Sequence, residues 1–189
     1  TLTADPNFEN KSSYSFTAIA SDAAGNSSAE TTVTFSITDV DEVAPTITSG
    51  TTGTNLAENS GAGQTVYTIT ATDAVGVTSY AIGGTDAALL SVVSNTGVVT
   101  LTADPNFENK SSYSFTATAS DAAGNSSTPQ AVTFSITNVD EVAPTITSGT
   151  TGIDLVENSG VYQTVYTITA DAKDGGTIAS YVIAGTDVD

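Results

Sequence analysis

Cysteine, histidine, arginine, methionine and tryptophan are all missing from this 189-residue sequence, and its only cationic side chains are Lys11, Lys110 and Lys173. The lack of cysteine rules out disulfides and thiol chemistry. It leaves an extracellular home open, because domains of about a hundred residues fold without cross-links. With no histidine, cysteine or arginine, the inventory for nucleophilic or phosphoryl-transfer chemistry is nearly empty, and no enzyme is expected. Three lysines against 21 acidic residues give a formal net charge of −18. Almost nothing can neutralise phosphates, so nucleic acid and anionic membranes are poor partners. No run is long and apolar enough to span a bilayer, so no membrane insertion is expected of this segment.

What the sequence does have is repetition. Residues 1–28 recur at 100–127 with one change, Ile19 to Thr118, and "DVDEVAPTITSG" at 39–50 returns as "NVDEVAPTITSG" at 138–149. The 99-residue period is that of one β-sandwich domain and far exceeds solenoid repeats. The period divides the chain into the C-terminal part of one repeat (1–42), a complete repeat (43–141) and the N-terminal part of the next (142–189). Two residues are inserted near Lys173, since Tyr80 matches Tyr181; Asp187 matches Asp86, and Thr1 matches Thr100. The outer pieces are complementary portions of one domain. The chain is expected to be an excerpt of a longer array, with strand exchange between neighbouring chains as the alternative, because a lone half-sandwich leaves sheet edges and core faces uncovered.

Period-two alternation predicts the strands. "YSFTATASD" turns Tyr113, Phe115, Ala117 and Ala119 inward, "AVTFSITNV" turns in Val132, Phe134, Ile136 and Val139, and "TVYTITATD" turns in Tyr67, Ile69 and Ala71. Shorter strands are expected at 46–49, 55–57, 78–82, 89–93 and 98–101, separated by Asn-, Gly- and Ser-rich turns. No segment carries helical periodicity over three turns. The fold class is therefore all-β: tandem Greek-key β-sandwiches, cadherin- or immunoglobulin-like, placed end to end. Each first strand should start after its proline, and the last strand of the first repeat should end at Asp39.

The acidic stretch is then a hinge. Two carboxylates ~5 Å apart repel by roughly 3 kcal/mol at an effective dielectric near 20, so they converge only around a cation. Oxygen donors without histidine or cysteine point to calcium, which accepts six to eight carboxylate, amide and backbone oxygens.

Four motifs in order carry a resemblance. "AEN" at 57–59, "NFE" at 106–108 with Tyr113 five residues after the Glu, "YSFTATASD", and "DVDEVAP" at 39–45 together resemble the signature of bacterial cadherin-like domains of large surface adhesins. The resemblance implies calcium at the junctions. At the second junction it implies Glu58, Asn106, Glu108, Asn138, Asp140 and Glu141, with Asp171 and Asp174 from the following repeat. At the first it implies Asn7, Glu9, Asp39, Asp41 and Glu42, completed by Asp73 and Asp121; Asp22 would face a preceding neighbour. The pattern is incomplete: Asn106, Asn7 and Asn138 stand where the family has Asp, and its Asp-Ala-Asp reads "DAV" at 73–75 and "DAK" at 171–173, which implies fewer or weaker ions. "SDAAGNSS" running into "VTFSITNVDEVAPTIT" is also similar to bacterial immunoglobulin-like repeats, which often bind no interdomain metal.

The implied role is a structural and adhesive spacer of a secreted or cell-surface protein, stiffened by calcium. Its partners would be neighbouring repeats or homophilic copies, and a glycan or host surface would be reached through other domains. The alternative role is a filament subunit assembled by complementation of half-repeats. Thr and Ser rows on strand faces are expected to be solvent faces, Lys11 and Lys110 solvated loop lysines, and Tyr67 and Tyr113 core rings.

Overall fold

The structure, a computed structural model, describes residues 1–186; the match of Asp187 to Asp86 lies outside the described residues. Residues 13–36 form a hairpin of β1 (Ser13–Ala18) and β2 (Thr31–Ser36). A full sandwich follows, built from β3 (Thr46–Ile47), β4 (Leu56–Ala57), β5 (Thr65–Thr68), β6 (Ala71–Thr72), β7 (Val77–Gly83), β8 (Leu90–Val92), β9 (Val98–Leu101), β10 (Ser112–Asp121) and β11 (Gln130–Thr137). After it come β12 (Thr145–Ile146) and β13 (Ala170–Asp171), which pair with each other.

One sheet has the order β4-β11-β10-β7, with β4 parallel to β11; a second holds β5-β9-β8, and β3 and β6 form a separate short pair. The long strands follow from their alternation. β10 buries Tyr113, Phe115, Ala117 and Ala119, and β11 buries Val132, Phe134 and Ile136; all of these except Ala119 pack with Val66, Tyr67, Ile69, Leu90, Val99 and Leu101 into one core. Each fully buried Phe or Val contributes roughly 1.5–3 kcal/mol relative to exposure. Tyr67 packs edge-on to Phe115 at 5.8 Å, and Tyr113 stacks on Phe134 at 4.9 Å, so both tyrosines are core rings.

Three details depart from simple alternation. Val66 is as buried as Tyr67, because the register of β5 against β9 shifts between Thr65 and Tyr67 and turns two successive side chains inward. Val139 is 44% exposed: β11 ends at Thr137, and the Val139 N–H is taken by Glu58 Oε1 at 2.7 Å instead of a neighbouring strand. In the first repeat β2 likewise stops at Ser36, short of Asp39. Lys110 is also not a free loop lysine. Its Nζ lies 3.0 Å from Oδ1 of buried Asp86 and 5.1 Å from the Tyr113 ring centre.

The decisive feature for function is β10. It starts four residues after Glu108 and ends on Asp121, so ten residues, about 33 Å, separate the two ends of the sandwich. Each end carries one acidic cluster.

Candidate metal centres at the domain junctions

At the first junction Asp41, Asp73 and Asp121 bring one carboxylate oxygen each to within 4.8 Å of one another. Asp41 comes from the linker, Asp73 from the residue after β6, and Asp121 from the end of β10, where the register against β7 shifts between Ser120 and Asp121. Each Asp spends Oδ1 on its own loop. Asp41 Oδ1 accepts from the Val43 N–H at 3.1 Å, and Asp73 Oδ1 accepts from Val75 and Gly76 at 2.9 Å each. Asp121 Oδ1 accepts from Gly124 and Asn125 at 2.8 Å each. The remaining oxygens of Asp41 and Asp73 are buried with no hydrogen-bond partner. Buried acceptors are nearly always satisfied, so two unsatisfied oxygens beside a third carboxylate are spare acceptor capacity that a cation would fill. The donor set, hard oxygens only, fits calcium.

Asn125 completes this end. Its Nδ2 donates to Asp121 Oδ2 and to the Asp41 carbonyl, both at 2.8 Å, and so ties the linker backbone to the tip of β10. Burial works against ionising Asp121, but the side-chain and backbone N–H groups of Asn125 and the N–H of Gly124 outweigh it and hold its pKa below the ordinary carboxylate value. The same "DAAGN" loop in the first repeat makes the same internal bonds: Asn26 donates to both oxygens of Asp22 at 2.8 Å. The loop geometry is therefore local, and only the Asn125 link to Asp41 belongs to the junction. Sequence reasoning passed over Asn125; its signal was the recurrence of Asn four residues after the strand-ending Asp.

At the second junction Glu58, Glu108 and Glu141 form the corresponding group within 4.8 Å. Glu58, next to β4, is 3% exposed, and both of its oxygens are occupied: Oε1 by the Val139 N–H and Oε2 by the Phe107 N–H at 2.9 Å. These two donors, Val139 first, hold its pKa down against burial. Glu108 behaves oppositely. Its own backbone N–H favours the ionised form, but burial and the neighbouring Asp174 and Glu58 carboxylates prevail and push its pKa up. Asn59 Nδ2 donates to Glu141 Oε1 at 3.1 Å, a second contact that sequence reasoning did not single out.

The following repeat reaches this end through Asp174. Asn138 Nδ2 donates to the Asp174 carbonyl at 3.0 Å and to its Oδ1 at 3.3 Å, and the Glu141 N–H donates to Oδ2 at 3.4 Å. Burial opposes ionisation of Asp174, yet the Glu141 N–H, Glu108 and Asn138 lower its pKa on balance. Asp171 is placed differently. It pairs with Thr145 as Thr72 pairs with Thr46, and its carboxylate is engaged by the backbone N–H and ammonium of Lys173. Asp171 thus takes the place of Thr72, and the two-residue insertion carries the equivalent of Asp73 from 172 to Asp174. Asp140 lies over Gly176, so closely that a side chain there would collide with its carboxylate.

The remaining acidic ligands expected from the sequence are not members of either three-carboxylate group among the described residues. Asn7 and Asn106 cap their own turns, each Oδ1 accepting at 2.7 Å from Asn10 and Asn109. Glu9, Asp39 and Glu42 are exposed and outside the three-carboxylate group at the first junction.

No protein-family model matches this sequence, and no curated protein matches it. Many solved structures do match in fold. A protocadherin gammaB7 EC3-6 cis-dimer structure aligns at 25% identity and TM-score 0.53, over 77% of this chain and 38% of that one. The protocadherin gammaB4 extracellular domain aligns at 20% identity and TM-score 0.61, over 90% and 28%. Mouse cadherin-23 EC22-24 aligns at 20% identity and TM-score 0.62, over 92% and 57%. The chain thus spans between about a quarter and three fifths of these structures. Among the described residues no helix is long and apolar enough to cross a membrane. The fold is that of cadherin extracellular domains, an all-β sandwich.

Proposed function

We propose that this chain is a spacer stretch of an extracellular repeat protein, of the bacterial surface-adhesin kind, whose sandwiches are stiffened end to end by calcium at their junctions. The observation that carries the reading is the pair of buried, unpartnered oxygens on Asp41 and Asp73, one from the linker and one from the sandwich that follows it. A calcium ion would supply there the positive charge and the spare coordination that three converging carboxylates need. The protein's own part is to aim those oxygens. Oδ1 bonds within each loop fix the carboxylates, and Asn125 holds the linker carbonyl, so the linker cannot swing without breaking several contacts at once. The function is reach and mechanical continuity; adhesive contact with a glycan or host surface belongs to other domains of such a protein.

Thermal melting and small-angle scattering in calcium and in chelator test the reading. Calcium is expected to raise the melting temperature and lengthen the particle. If neither changes, the rod is wrong while the sandwich fold stands.

A further inference from the structure

The linker stretches 39–50 and 138–149 differ at one position, Asn138 where the first has Asp39, and the loops that they face differ by the two residues inserted near Lys173. The structure brings these two differences together. Asn138 Nδ2 donates to the Asp174 carbonyl at 3.0 Å and to its Oδ1 at 3.3 Å. Asp39, the counterpart of Asn138, is a carboxylate: it has no hydrogen to give and would repel Asp73, the counterpart of Asp174.

The inserted loop is shaped to receive the linker. Lys173, Asp174 and Gly175 have φ of 57°, 37° and 73°, a left-handed turn closed by the Gly176 N–H on the Lys173 carbonyl at 2.9 Å. Its two glycines leave room for linker side chains. A Cβ at Gly175 would come within 3.4 Å of Asn138 Nδ2, and one at Gly176 would collide with the Asp140 carboxylate. The Glu141 N–H adds a backbone contact, donating to Asp174 Oδ2 at 3.4 Å. On its other side the same linker is held to the middle sandwich, by Glu58 at the Val139 N–H and by Asn59 at Glu141. Glu58 and Asp174 thus already accept with both oxygens, and among the described residues the buried oxygens without a partner belong to Asp41 and Asp73 of the first junction.

We propose that the second junction is a latch that closes without calcium: linker residues 138–141 clasp the turn 173–176 of the following repeat by direct hydrogen bonds, with Asn138 supplying the donor where the first junction needs a cation. Two kinds of junction then alternate along one chain. On losing calcium the chain bends at the first and holds at the second. The latch narrows the rod's cation requirement to the first junction, and the contacts that carry it do not rest on the calcium reading there.

Distances between paired spin labels on the 189-residue chain test it, since the sequence has no cysteine of its own to interfere. Labels on Ser36→Cys with Ser135→Cys span the first junction, and labels on Thr52→Cys with Thr151→Cys span the second; all four positions are exposed, and each pair is one repeat apart. In chelator the first distance distribution is expected to broaden about twofold relative to calcium, as a freed linker does, while the second keeps its width. Asn138→Asp sets a carboxylate against Asp174 and should broaden the second distribution about twofold in chelator, leaving the first as it was. Adding Asp174→Asn exchanges donor and acceptor and should narrow it again. An unchanged melting transition of the middle sandwich reports that each variant is folded. A second distribution that broadens in chelator in the unaltered chain, an Asn138→Asp variant as narrow as that chain, or an exchange that fails to restore the width would overturn the inference. The first pair of labels answers a separate question: a width there that ignores calcium sinks the calcium reading, and the latch is still decided by its own two variants.

Discussion

The two ends of the middle sandwich gather similar charge and use it differently. At the first, three aspartates each close a local loop with Oδ1; Asp121 Oδ2 also accepts from Asn125, while the Oδ2 atoms of Asp41 and Asp73 are left buried and unpaired. At the second, the longer glutamates reach backbone donors. Glu58 satisfies two N–H groups from different segments, Asn59 holds Glu141, and Asn138 already ties the linker to Asp174. The comparison teaches that acidic density is a poor measure of a cation site. What counts is the acceptor capacity left over after the chain has satisfied itself, and that remainder is larger at the first junction.

The largest expected effect therefore concerns the first junction. Saturating calcium should raise the melting temperature by about 10 °C, the scale expected when a ligand is present at a hundred times its dissociation constant. Asp73→Asn should remove most of that gain, whereas Glu108→Gln at the second junction should remove much less; melting in calcium and chelator reads both. Equal losses would erase the distinction between the two ends. Next in size is Glu58→Ala, which strands the N–H groups of Phe107 and Val139. A drop of about 8 °C is expected, the same with and without calcium, because this carboxylate is structural. A calcium-dependent loss would make Glu58 a ligand first and a clamp second. Asn125→Ala should cost about 3 °C in stability, on the scale of one or two hydrogen bonds, and should loosen the first linker alone. Scattering in chelator should report a broader distribution of particle lengths.

Much of this was legible in the sequence, and what escaped it did so for definite physical reasons. The 99-residue period and the alternation of Tyr113, Phe115, Ala117 and Ala119 lead to a sandwich, because period-two burial is a property of any half-buried strand. Val66 escaped because a local shift of register turns two neighbours inward. Val139 escaped because alternation continues in the letters after the ladder has stopped, and only the three-dimensional approach of Glu58 reveals where it ends. At the junctions, motif matching assembles all the acidic residues but cannot rank them. Asp41, Asp73 and Asp121 are separated from Glu9, Asp39 and Glu42 by where the fold puts them, the first three converging and the others exposed, and Asp174 from Asp171 by a two-residue insertion that leaves strand register intact and moves the loop. Lys110 looked solvated because its partner Asp86 lies 24 residues away across the fold.

That last pair supplies the smallest effect and the control for the others: a buried carboxylate balanced by a lysine instead of a metal ion. Burial raises the cost of ionising Asp86, but the Ser114 N–H at 2.8 Å and the Lys110 ammonium more than offset it and hold its pKa below the ordinary 3.8. A carboxylate with a depressed folded-state pKa contributes stability that is fully present above its unfolded value and is lost as pH falls through the folded one. The gap in melting temperature between the unaltered chain and Asp86→Asn should therefore be steady, at about 2 °C, from neutral pH down to about 5, and should close below about 4. It should be the same in calcium and in chelator. The first junction should show the reverse: its gain disappears with the ion at any pH. A gap at Asp86 that depended on calcium would mean that the cation acts on the sandwich as a whole, and the division between lysine-balanced and cation-balanced carboxylates would fail.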